Sequence, residues 1–205
     1  PQRKQLLKSL KLKFVTAYPK VKEKKILRNN SAPELVKENA ILKAKAVARR
    51  FKNGIVIAAD TVVFVKNRII GKPKDKKDAL RILKILTRSP QIVYSGICVY
   101  DITSKRIFSD YSRTKVYMEK MSEKEIRKYI NKVYILNKAG SFDIQRWGAL
   151  FIKRIEGCFY NVVGLPLAKM NKLLKKAGMT ILSLSFFLVV NGCTEYNLAT
   201  EQQEL

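Results

Sequence analysis

Apolar residues Leu35, Val36, Ala40, Val47 and Phe51 recur at spacings that place them on one face of a helix. That segment opens on Ser31-Ala-Pro-Glu34, in which the serine hydroxyl can accept an N–H that the glutamate side chain reciprocates, a capping box. The helix is expected to end near Asn53-Gly54. Residues 55–65 then form an almost unbroken run of β-branched and small apolar residues, the pattern of a strand buried on both faces. Asp60 alone interrupts it. Lys66-Asn67 makes a turn into a short strand that ends at Gly71-Lys72-Pro73.

Asp75 can cap a helix carrying Ala79, Leu80, Leu83 and Leu86, and two strands follow at about 91–100 and 106–118, joined across residues 101–105. Ser122-Glu-Lys-Glu125 is a second capping box, ahead of a helix with Ile126, Tyr129, Ile130 and Val133. Residues 149–155 and 158–163 flank Glu156-Gly157 as an expected hairpin, and a helix over 165–177 is ended by Gly178. The coarse reading is mixed α/β with a largely antiparallel component.

Residues 179–190 are mostly apolar and run into Val190-Asn-Gly-Cys193 and a polar, acidic tail. Twelve apolar residues are short for a bilayer span but suit the core of a secretory signal. With Lys175-Lys176 just upstream, residues 179–193 resemble a bacterial lipoprotein leader and cleavage box, here read as a fusion or read-through. The competing expectation is a hydrophobic helix packed on the domain. A membrane partner is expected only if residues 179–193 form a true anchor.

At 205 residues, 47% of them hydrophobic, the chain can bury one sizeable core. It starts at Pro1, with Arg3 and Lys4 leading straight into an amphipathic stretch, so it is expected to begin inside a structured region. The formal charge of +26, from 42 Lys and Arg against 16 Asp and Glu, attracts polyanions. Most lysines fall at polar helix positions without interleaved aromatics, which favours a solvated surface over a nucleic-acid face. Three single cysteines, Cys98, Cys158 and Cys193, have no metal-ligand spacing, and the expected location is the reducing cytoplasm. With no histidine in the chain, catalysis would rest on carboxylates, Lys, Arg and metal.

Asp60 is the first candidate for chemistry, because a carboxylate in an apolar strand is costly unless it binds a cation or meets a cleft. A carboxylate satisfied by backbone donors or a nearby lysine explains the pattern equally well. Lys72, between Gly71 and Pro73, suits a phosphate contact but also reads as one more surface lysine. Gln145, between Gly140 and Gly148, carries an amide that could read a base edge or simply face solvent. No phosphate-binding glycine loop is present.

Taken jointly, however, seven segments stand in the order and spacing of one family: Pro1-Gln-Arg-Lys-Gln-Leu-Leu7, Ala58-Ala-Asp-Thr61, Gly71-Lys-Pro73, Lys138-Ala-Gly140, Ile144-Gln145, Gly148-Ala-Leu-Phe151 and Tyr160-Asn-Val-Val-Gly-Leu-Pro166. Over nearly all of residues 1–178 the chain resembles the Maf nucleotide pyrophosphatases. The resemblance implies a two-lobed Maf/ITPase-like α/β fold, a mixed elongated sheet flanked by helices with a central cleft, usually as a homodimer. It implies hydrolysis of a nucleoside triphosphate at the α-phosphorus with a divalent cation, Mg²⁺ or Mn²⁺, and with dTTP, UTP or modified nucleotides as substrates. By position, Asp60 matches the catalytic acidic residue, and Arg3, Lys43 and Lys72 the phosphate-binding cations. Gln2, Thr61 and Gln145 match base-recognition positions, and Asp60 with Glu23 the metal-binding carboxylates. A non-catalytic nucleotide- or nucleic-acid-binding module is the alternative.

The chain departs from the family's pattern in four places. The family's first strand and Ser-rich turn would precede Pro1 and are not in this sequence. Gln2 stands where many dTTP- and UTP-cleaving members have an arginine. The usual acidic stretch after the first helix is Lys20-Val-Lys-Glu23, leaving Glu23 alone. Arg146 replaces a frequent glycine, and Asn137 a frequent aspartate. The expected organisation is one domain over residues 1–178 followed by an extension over residues 179–205.

Overall fold

The computed structural model describes residues 2–24, 31–66, 68–136, 138–180 and 187–190. In chain order the elements are α1 (Gln2–Ser9), β1 (Phe14–Ala17), α2 (Ala32–Ala48), β2 (Ile55–Val65), β3 (Arg68–Ile70), α3 (Lys76–Leu86), β4 (Gln91–Asp101), β5 (Arg106–Met118), α4 (Glu123–Lys132), β6 (Ile152–Glu156), α5 (Phe159–Val163), α6 (Leu167–Lys176) and β7 (Phe187–Val190). Short 3₁₀ turns occupy Ala139–Ser141 and Trp147–Phe151. The sheet runs β1-β7-β2-β4-β5-β6, with β3 paired to β2 off that path. β2, β4, β5 and β6 are antiparallel neighbours, whereas β7 is parallel to both β1 and β2. This is the mixed, helix-flanked α/β sheet expected; the described residues do not show a central cleft.

Strand alternation divides β2 between two cores. Ile55, Ile57 and Ala59 pack with Leu6 and Leu7 of α1 and Met170, Leu173 and Leu174 of α6. Val56 and Ala58 pack on the other face with Ala40, Ala44 and Val47 of α2. A third core gathers α3 and α4 around Val63, Val65 and Val93. Burial on both faces is therefore what the apolar run of β2 encodes.

α2 lies close on the sheet because Gly96 of β4 leaves room for it. A Cβ at that position would stand 2.1 Å from the carbonyl oxygen of Val36. Gly96 is the register partner of Asp60. One and two turns on from Val36, on the same buried face, come Asn39 and Lys43.

Several expected elements differ in the structure. Ser31 is the N-cap of α2, ahead of Pro33, but its side chain makes no capping bond. The second capping box, Ser122 with Glu125, is formed in full. The expected hairpin around Glu156-Gly157 is not one. Residues 152–156 pair with β5, while Gly157, at φ +127°, turns the chain into α5. Asn161 of α5 is fully buried and donates to the Val93 carbonyl at 3.0 Å and to Thr114 Oγ1 at 2.9 Å, side-chain bonds that fix a helix where a strand was expected.

Residues 187–190 form a strand in the interior of the sheet, not a helix laid on the domain, and Val189 is 1% exposed in the core beneath α1 and α6. Most of the leader-like segment, with Cys193 and the acidic tail, lies outside the described residues, as do Asn67 and Asn137. No helix among the described residues is long and apolar enough to cross a membrane.

Candidate active site

Alternation sends Asp60 to the α2 face of β2, with Val56 and Ala58. There its Oδ1 accepts from Lys43 Nζ at 2.7 Å and its Oδ2 from Asn39 Nδ2 at 3.2 Å. Asp60, Asn39 and Lys43 are 6%, 2% and 1% exposed, so an apolar helix face has brought two polar groups down onto one carboxylate. Lys43 Nζ also contacts Glu23 Oε1 at 2.7 Å. Two carboxylates thus share one ammonium.

Asn39 also fixes the Glu23 segment. Its Oδ1 accepts from the Lys24 backbone N–H at 2.8 Å and its Nδ2 donates to the Lys24 carbonyl at 3.1 Å. This two-way bond anchors the residue next to Glu23, beside Lys43.

Thr61, one residue on, faces the opposite side of the sheet, toward α1. There Arg3 donates Nη2 to Thr61 Oγ1 at 3.1 Å, Nη1 to the Ala59 carbonyl at 2.8 Å and Nε to the Gly164 carbonyl at 2.8 Å. Because Ser95 donates its one hydroxyl proton to the Asn161 carbonyl at 3.1 Å, the bond of 2.8 Å between the two hydroxyls takes its proton from Thr61 Oγ1.

The two faces meet at an opening in the sheet. On the edge of β2 away from β4, β7 pairs with residues 56–58 and β3 with residues 63–65, and among the described residues no strand pairs with 59–62 on that edge. Arg3 fills part of this opening by taking the Ala59 carbonyl. Burial pulls the Arg3 guanidinium below its ordinary range, with Asp60 and Glu23 opposing the shift. Partial desolvation also lowers the ammonium of the surface residue Lys72, which feels Glu23, Lys43, Arg3 and Asp60 together. Lys72 therefore belongs to the same electrostatic cluster.

Gln2, beside Arg3 in α1, reaches a second cluster. Its Nε2 donates to Asp143 Oδ2 at 3.3 Å; Lys138 Nζ donates to the same oxygen at 2.7 Å, and the Gln145 backbone N–H to Oδ1 at 2.9 Å. The Gln145 side chain is exposed on a shallow concavity of about 620 Å³, lined also by Lys132, Tyr134, Arg146, Trp147 and Leu150.

The structure thus gathers Arg3, Glu23, Lys43, Asp60, Thr61 and Lys72 around the opening in β2, and ties Gln2 and Gln145 together through Asp143. Sequence reasoning missed Asn39, Gly96, Ser95 and Asp143. Asn39 and Lys43 carried a readable signal, two polar residues at i and i+4 on the apolar face of a helix. Asp143 carried none, since its role depends on contacts with α1.

Residues 1–177 match the family model for Maf-like proteins. The chain belongs to the Maf family. It is 40% identical to a protein of Dictyoglomus turgidum over 182 residues, which are 89% of this chain and 94% of that relative. Identity is 42% to a protein of Dictyoglomus thermophilum at the same coverage, and 41% to one of Clostridium tetani, over 88% of this chain and 95% of the relative. All three relatives carry the name dTTP/UTP pyrophosphatase. Within this Maf chain, the segments shared with the family supply Arg3, Asp60, Thr61 and Lys72 of the cluster around the opening.

Proposed function

We propose that this protein is a nucleoside triphosphate pyrophosphatase, which adds water across the bond between the α- and β-phosphates to release a nucleoside monophosphate and pyrophosphate, with dTTP and UTP as its substrates. The observation that carries the reading is the buried Asp60, bonded to Lys43 and Asn39 and within the electrostatic reach of Arg3 and Lys72. Relatives about 40% identical that are named for this activity support it.

A triphosphate brings about four negative charges, and the cations beside Asp60 oppose them where charge builds on the leaving pyrophosphate. Lys72 is the freest of them. Arg3 has spent three N–H groups on protein oxygens, so it offers a phosphate its two remaining N–H groups and its field. Each Asp60 oxygen takes one protein donor and keeps a second acceptor site, which can orient a water and take its proton as it attacks the α-phosphorus.

Asp60 and Glu23, both 2.7 Å from one ammonium, fit a Mg²⁺ or Mn²⁺ ion, which takes one or two carboxylates and completes its shell with water and substrate phosphates. Among the described residues no cluster of three or more His, Cys, Asp or Glu is arranged for a metal. When bound, the ion would supply positive charge to the attacked phosphoryl group. We include a homodimer and a cytoplasmic location in the proposal, the latter supported by the unpaired Cys98 and Cys158.

The test is pyrophosphate release from dTTP, UTP, CTP and ATP with Mg²⁺ or Mn²⁺. Metal-dependent release that is lost in Asp60→Asn is expected. No release from any nucleotide would overturn the reading in favour of a module that binds nucleotide or nucleic acid without chemistry.

A further inference from the structure

We propose that Asp143 sets the base preference of this enzyme by fixing the polarity of the Gln2 amide. The inference rests on the pyrophosphatase reading above and on the base-recognition positions, Gln2 and Gln145, that the resemblance to the Maf family implies. Asp143 is 4% exposed and carries no role in that reading.

The geometry of the loop makes Asp143 a fixed point. Its backbone packs against Gly148, where a Cβ would stand 2.4 Å from the Asp143 carbonyl oxygen, so residues 143–148 close tightly on themselves. The carboxylate then joins three elements. Oδ1 accepts from the Gln145 N–H, and Oδ2 from Lys138 Nζ and from Gln2 Nε2 of α1, 141 residues earlier in the chain.

A paired carboxylate only accepts hydrogen bonds, whereas an amide has one end that donates and one that accepts. Facing Asp143, the Gln2 amide must present its NH₂, which leaves its carbonyl oxygen as the end not committed to the carboxylate. Uracil and thymine carry an N3–H donor that such an oxygen can receive. Cytosine carries an acceptor at N3, which would confront it. Without Asp143 the amide can turn over and serve either base. The same carboxylate holds the Gln145 backbone, so both base-end glutamines answer to one residue.

The experiment measures kcat and KM for UTP, dTTP and CTP in the wild type, Asp143→Ala, Gln2→Ala and the double variant, with Mg²⁺. The expected result is a UTP-over-CTP preference that falls at least tenfold in Asp143→Ala. The fall should lie in KM rather than kcat, and the double variant should fall no further than either single one. An equal loss of kcat on every nucleotide, or an unchanged preference, would overturn the proposal while leaving the pyrophosphatase reading in place. Absence of hydrolysis by the wild type would remove that reading instead.

Asp143→Ala strands the Lys138 ammonium, so a second variant, Asp143→Asn with Lys138→Met, removes both charges together. It retains an acceptor for the Gln145 N–H but sets an NH₂ before Gln2, which turns the Gln2 amide over. A folded double variant, judged by its melting curve, should lose the preference as Asp143→Ala does; a preference retained in it would also overturn the proposal.

Discussion

Gly96 stands directly across the β2–β4 ladder from Asp60, and the missing side chain lets the carbonyl of Val36 settle onto the sheet. The position of α2 follows from that contact, and with it the position of Lys43 and Asn39 over the carboxylate. A glycine in one strand thereby sets the chemistry of a residue in the next.

Asp60→Asn keeps the shape of the side chain and an acceptor for Lys43 while removing the charge and the capacity to take a proton. Hydrolysis is expected to fall by about 10²–10⁴-fold, the span of a lost general base, in a protein that still melts cooperatively because Glu23 keeps the Lys43 ammonium paired. Activity within a few-fold of wild type would remove Asp60 from the chemistry.

Lys43→Met takes away the ammonium between Asp60 and Glu23. Asp60 is left buried without its cation, a loss of about 3–5 kcal/mol. Because two carboxylates then face each other, added Mg²⁺ should raise the melting temperature of this variant more than that of the wild type. Equal shifts in the two proteins would argue against Asp60 and Glu23 as the metal pair.

Lys72 loses its proton below the ordinary lysine value of 10.5, because partial desolvation together with repulsion from Lys43 and Arg3 outweighs the attraction of Glu23 and Asp60. The charged form is the one that meets a phosphate, so kcat/KM should fall on the alkaline side as Lys72 deprotonates in the free enzyme. Lys72→Arg keeps its charge throughout that range and should move the fall to higher pH. The same alkaline limb in both proteins would show that Lys72 does not control it.

Val189 is packed under α1 and α6 within a strand that pairs on both sides. Val189→Asp would bury an unpaired carboxylate and should destabilise the protein by several kcal/mol, on the order of 3 or more. Ending the chain after Gly178 should also lower the melting temperature, since it removes β7. A truncated protein that melts like the full chain would mean that residues 187–190 contribute nothing to the core.

Much of the fold was legible in the sequence where local chemistry decides it. The run over β2 read as a doubly buried strand, Asp75 caps α3 by accepting from the Asp78 N–H, and Ser122 with Glu125 closes the second capping box. The hairpin expected around Gly157 failed because α5 is fixed by buried bonds from Asn161 to β4 and β5, contacts between residues 47 and 68 positions apart. Apolar patterning over residues 179–190 reads equally as a lipoprotein-like leader or a packed helix; only pairing with β1 and β2 makes residues 187–190 a strand.

By itself the sequence determined the mixed α/β class through its periodicity and marked Asp60 and Lys72 by their local setting, while the resemblance of its segments to the Maf family added Arg3 and Lys43 as candidates. Only the tertiary structure decided how they combine. The alternation of β2 sends Asp60 and Thr61 to opposite faces, the opening between β7 and β3 joins those faces, and Asp143 links α1 to the Gln145 loop. Such relations are made by strand pairing and by contacts between residues distant in the chain, and no local pattern encodes them.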